Sequence, residues 1–111
     1  MQRGQFDEDI ALEQLDETRF QARFAEHWCI RGVPNGGYQL AVAANAIGHC
    51  LPQPHPLTVT GHYLTASKAG PAELTVDVAR VGGSMSTATC RITQNGQETL
   101  RVTATFTDLG D

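Results

Sequence analysis

The sequence predicts an α+β domain in which an antiparallel sheet curves around one long apolar helix. Three observations predict it. Residues 38–50 (YQLAVAANAIGHC) form an alanine-rich helical pattern with few polar positions. Everything beyond Pro56 alternates as strand and closes at Asn95-Gly96, the strongest short hairpin signal. The helix comes once, after a first strand and before the other strands, an order that excludes alternating βαβ units.

The elements follow in chain order. Residues 1–18 carry Ile10, Leu12 and Leu15 among acids and read as a short amphipathic helix or an ordered arm. Residues 19–30 (RFQARFAEHWCI) alternate, with Phe20, Ala22, Phe24 and Glu26 on one side, which predicts a first strand ending near Trp28. Residues 31–37 (RGVPNGG) are a loop by composition. Asn35 is a good N-cap, because its side-chain oxygen can accept from amides two or three residues on. At about 100° per residue, Gln39, Asn45 and His49 fall within a sector of about 120°, and the rest of the helix is apolar or small. Such a helix is expected to be buried. Leu51-Pro52 and Pro54 to Pro56 end it.

Four strands are predicted next. Leu57, Val59, Gly61 and Tyr63 alternate with Thr58, Thr60, His62 and Leu64. Residues 68–71 (KAGP) turn. Leu74, Val76 and Val78 share one face, and 81–84 (VGGS) make a tight connection or bulge. Residues 85–94 and 98–107 flank Asn95-Gly96, the latter with Leu100, Val102, Ala104 and Phe106 on one face. The whole reads as one domain, with 1–18 as an arm and 19–111 as the core.

Composition narrows the function classes. The chain has 111 residues, 41% hydrophobic and 18% charged, with a net charge of −4. That size supports a core without staples, and the negative charge argues against a nucleic-acid partner. No apolar run reaches the 18 or so residues of a membrane span, and residues 1–26 contain no apolar signal core. Cys29, Cys50 and Cys90 are scattered and odd in number, which predicts reduced thiols and a cytoplasmic protein. The histidines have no metal-ligand spacing, so neither metal nor cofactor is expected.

In their order and spacing, several segments resemble hotdog-fold acyl-CoA thioesterases, and within these the N-terminal half of the double-hotdog thioesterase II type. The segments are 27–46 (HWCIRGVPNGGYQLAVAANA), 55–97 and the final VTATF of 102–106. Gly36-Gly37, Tyr63-Leu64, Arg80 to Ser84, Gln94-Asn95-Gly96 and Thr103 to Phe106 stand where that family has its recurring motifs. The family's Arg-Pro after the aromatic-Leu is Thr65-Ala66 here, which removes a positive charge. The resemblance covers about residues 20–107 and implies acyl-CoA as substrate. It also implies hydrolysis to a carboxylic acid and CoA, and pairing of hotdogs edge to edge, as a homodimer or higher oligomer for a lone copy.

Thioester hydrolysis needs donors aimed at a developing oxyanion and a group that activates water. Gly36 and Gly37 supply the first expectation. Each helical glycine costs about 1 kcal/mol relative to alanine, and first-turn amides lack intrahelical acceptors at the positive end of the dipole. Gly37, with Gly36 and Tyr38 beside it, is therefore the candidate oxyanion site; packing of a tight loop is the alternative. Asn35 is a candidate for orienting water, against its simpler role as N-cap. Gln39, Ser84 and Ser86 are candidate substrate contacts, against ordinary solvent, cap or turn chemistry. Residues 31–50 hold no aspartate or glutamate. In the thioesterase II type, the catalytic aspartate, threonine and glutamine lie in a second half, so the chain is expected to be an N-terminal half. A non-catalytic acyl-CoA-binding domain and a hotdog dehydratase or hydratase are the competing readings.

Overall fold

The computed structural model describes residues 10–25, 29–30, 33–34 and 36–110. In chain order these form β1 (Glu13–Gln14), β2 (Arg19–Phe24), β3 (Cys29–Ile30), β4 (Val33–Pro34), α1 (Gly36–Cys50), β5 (His55–Tyr63), β6 (Gly70–Val81), β7 (Met85–Gln94) and β8 (Gln97–Thr107). A six-stranded antiparallel sheet in the order β1-β2-β6-β7-β8-β5 carries α1 on one face, and β3 pairs with β4 apart from it. The α+β hotdog architecture expected from the sequence is present. Among the described residues, no helix is long and apolar enough to cross a membrane.

The inner face of the sheet is written in period two. Phe20, Leu74, Ile92 and Leu100 lie opposite one another across β2, β6, β7 and β8, and all are fully buried. Val76, Cys90 and Val102 form the next row, and Ala88 with Ala104 a third. Helix α1 meets these rows with Val42, Ala43, Ala46 and Ile47, none of them exposed. Small residues on both sides let helix and sheet approach closely, which accounts for the alanine content of the helix. The outer face is polar: Thr87 and Thr105 share a hydrogen bond of 2.9 Å, and Thr89 and Thr103 one of 3.2 Å. The β7–β8 turn places Asn95 at φ 51° and Gly96 at φ 77°, the backbone of a two-residue hairpin that these residues adopt most readily.

Three expectations are corrected, and a fourth holds in register but not in burial. The first strand does not extend to near Trp28: β2 stops at Phe24, and Val33–Pro34, in the stretch read as loop, pairs with Cys29–Ile30. The sheet has six strands rather than five, because the described part of the arm is extended and β1 pairs with β2. Val78 shares the face of Leu74 and Val76 as expected, in register with the buried Ala88, but is 40% exposed. Helix α1 is not enclosed all round: Ala41, Ala44 and Gly48 line an open groove of about 500 Å³ with Ile10, Pro56 and Phe106.

Cys90 lies under the helix, and burial pushes its thiol up to about 12. Cys50 is half-buried and raised in the same direction for the same reason. A thiolate-specific reagent at neutral pH should therefore leave Cys90 unlabelled until the chain is unfolded. Peptide mapping that found Cys90 labelled in the native protein would contradict the placement of β7 under α1.

Candidate functional site

The first turn of α1 is held by three long-range contacts. Burial of the apolar face puts Tyr38 in the core, 2% exposed, with its ring edge-on to Phe24 at 5.8 Å. The Tyr38 hydroxyl accepts the Ala25 amide at 3.0 Å and lies 3.4 Å from the Arg23 carbonyl, to which it donates. This fastens the helix start to the end of β2. From the opposite side, the Tyr63 hydroxyl donates to the Gly36 carbonyl at 2.8 Å. Partial burial pushes the Tyr63 phenol above its usual range, so it remains a donor at neutral pH. Gln39 is 2% exposed, and the equally buried Ser67 hydroxyl donates to its Oε1 at 2.7 Å. Burial of two such groups is tolerated because they are paired.

Beside this turn lies a hollow of about 240 Å³ lined by Gln39, Tyr63, Leu64, Thr65, Ala66 and Ser67. Gly36 is explained by packing, for a Cβ there would stand 2.9 Å from the Tyr63 hydroxyl. Gly37 is exposed. The first turn contains no acidic residue, so the positive end of the helix dipole meets no carboxylate from its own turn.

The sequence candidates separate into three groups. Gly36, Gly37, Tyr38 and Gln39 come together at this turn. Asn35 lies outside the described residues. Ser84 and Ser86 are at the other end of the molecule: Ser86 is opposite Phe106, six residues along β7 from Ile92, or about 20 Å at strand rise. Each has a local bond at that end. The Ser86 hydroxyl accepts the Gly82 amide at 3.3 Å, and the Ser84 carbonyl accepts the Thr107 hydroxyl at 3.1 Å.

Tyr63 and Ser67 were missed as site residues, since each reaches the helix from far along the chain. Of the remaining polar helix positions, Asn45 donates to the Ile10 carbonyl at 2.8 Å and tethers the arm. His49 is exposed, with its Nδ1 at 2.8 Å from the Asn45 carbonyl. Among the described residues, no group of histidine, cysteine and acidic side chains is arranged to hold a metal ion.

The fold defines the class, and comparison with known proteins narrows it. The chain is similar to a candidate thioesterase II from Thermobifida fusca, with a TM-score of 0.92 and 23% identity over 95% of this chain and 39% of that one. It is also similar to a hotdog-fold protein of unknown function from Alicyclobacillus acidocaldarius, with a TM-score of 0.86 and 23% identity, covering 98% of this chain and 41% of that one. In sequence it is 34% identical over 94 residues to the thioesterase-like protein TwmA of Talaromyces wortmannii, covering 82% of this chain and 27% of TwmA. Residues 24–107 match the model of the acyl-CoA thioesterase N-terminal domain. The chain belongs to the acyl-CoA thioesterase N-terminal domain family, and it spans well under half the length of each relative named here.

Proposed function

We propose that this domain takes part in hydrolysing acyl-CoA thioesters to a carboxylic acid and CoA, with the thioester carbonyl received at the first turn of α1. The observation that carries this is the hollow of about 240 Å³ against that turn, with Tyr63 and the Gln39–Ser67 pair holding the backbone around it. Rigidly held backbone donors stabilise an oxyanion without reorganising. The family membership supports acyl-CoA as the substrate class and a place in lipid metabolism. The free thiols of Cys50 and Cys90 suit a reducing, cytoplasmic setting.

Water activation requires a group that α1 does not supply. We assign it to a second hotdog sheet joined at β5, whether a second copy or a further domain. Among the described residues, strand β5 is an edge strand hydrogen-bonded to β8 alone, and Leu57, Val59, Tyr63 and Leu64 are exposed along or just beyond it. Such an edge is suited to pairing. The lack of Asp or Glu in 31–50 favours a second reading, an acyl-CoA-binding domain without chemistry of its own.

Thiol release from acetyl-, octanoyl- and palmitoyl-CoA separates the two. Turnover above blank that saturates with substrate is the expected result. Saturable binding of acyl-CoA without thiol release, both by the chain alone and when it is joined to a second hotdog domain, selects the binding domain, and neither binding nor release rejects the site.

A further inference from the structure

We propose that Lys68 is the recognition point for the phosphate groups at the nucleotide end of the CoA thioester; this rests on the acyl-CoA reading above and deepens it. Lys68 is the chain's one lysine, and it follows directly the Ser67 whose hydroxyl is bonded to Gln39 in the first helical turn. Its backbone is clamped on both sides: its amide donates to Gln94 Oε1 at 3.0 Å, and its carbonyl accepts from Gln94 Nε2 at 2.8 Å. The same Nε2 also donates to the Pro71 carbonyl at 3.2 Å, so the loop is fixed to the β7–β8 hairpin. The exposed side chain borders a second hollow, of about 200 Å³, lined mainly by polar residues, among them Gln94, Asn95 and Gln97. Ala66 lines both this hollow and the one at the helix start.

The charge distribution singles out this lysine. Arg19 is paired with Asp16, Arg91 with Asp77 and Arg101 with Glu98. Arg23 lies on the exposed face of β2 and shares its surroundings with Glu13. Arg80 has no ion pair among the described residues, but it stands beside Gly82 and Gly83 at the far end of the sheet. Among the described residues, Lys68 is therefore a basic side chain with no ion pair at the end of the molecule where we place the thioester. CoA carries its phosphates at the far end of a pantetheine arm, so a ligand with its carbonyl at α1 presents them at a distance along the surface. On a chain of net charge −4, an ammonium on a loop whose backbone is held in place offers such an anion a local attraction.

Calorimetric titration of the chain with CoA and with pantetheine, which lacks the phosphates, tests this at low and high salt. Lys68→Ala is expected to weaken CoA binding about fivefold at low salt and to leave pantetheine binding unchanged. Lys68→Arg should restore CoA binding, and Arg80→Ala at the other end should not alter it. CoA bound equally well by wild type and Lys68→Ala would overturn the assignment while leaving the thioester reading intact. Equal losses in Lys68→Ala and Arg80→Ala would overturn it too, by showing an effect of net charge rather than of place. No CoA binding by the wild-type chain would remove the thioester reading and the assignment with it.

Discussion

Replacing Gly37 with proline is expected to lower thioester turnover by roughly 10²–10³-fold while leaving the helix in place. The substitution deletes the backbone N–H of residue 37. Gly37 is the second residue of α1, where the amide takes no part in the intrahelical ladder and proline is tolerated. Gly36 before it lacks the Cβ that the incoming ring would crowd. Gly37→Ala keeps the amide and serves as the control, with turnover within about tenfold of wild type. Circular dichroism should be unchanged in both. A folded proline variant that hydrolyses acyl-CoA at the wild-type rate would remove the oxyanion role from this turn.

The largest loss of stability is expected from Phe24→Ala. Phe24 is 1% exposed at the end of β2, and its ring meets Tyr38 edge-on at 5.8 Å and 65°. Truncation of a buried phenylalanine costs about 3–5 kcal/mol through lost transfer energy and the cavity left behind. For a domain of this size, that lowers the melting temperature by on the order of 15 °C. The cavity would open beside the tyrosine that anchors the helix start, so the Ala25-to-Tyr38 hydrogen bond should loosen as well. Urea unfolding measures the loss. A value below about 1 kcal/mol would show that the β2 end and α1 are not packed as described.

What could be read from the sequence was local in origin. The alanine-rich period of residues 38–50 and the Asn95-Gly96 turn each carry their reason within a few residues, and both were found as expected. The register shifts at Pro56–Thr58 and Val78–Arg80 were not legible, because a bulge is set by the partner strand rather than by the bulged residues alone. The same holds at the site. The Gly36-Gly37 pair stood out as a breach of helix propensity, and part of its cause, the Tyr63 hydroxyl against Gly36, lies 27 residues away. Ser67 gave no signal: a loop serine has many ordinary uses, and only the folded loop sets it against Gln39. Ser84 and Ser86 looked eligible because sequence does not say at which end of the sheet a turn lies.

The order of elements has a consequence for synthesis. Strand β2 and helix α1 leave the ribosome before β6, β7 and β8, the strands that cover them. At roughly 5–20 residues per second, the apolar faces of Phe20, Phe24, Val42 and Ile47 go uncovered for several seconds in each nascent chain. That interval, rather than the finished fold, is when this protein has most need of a chaperone.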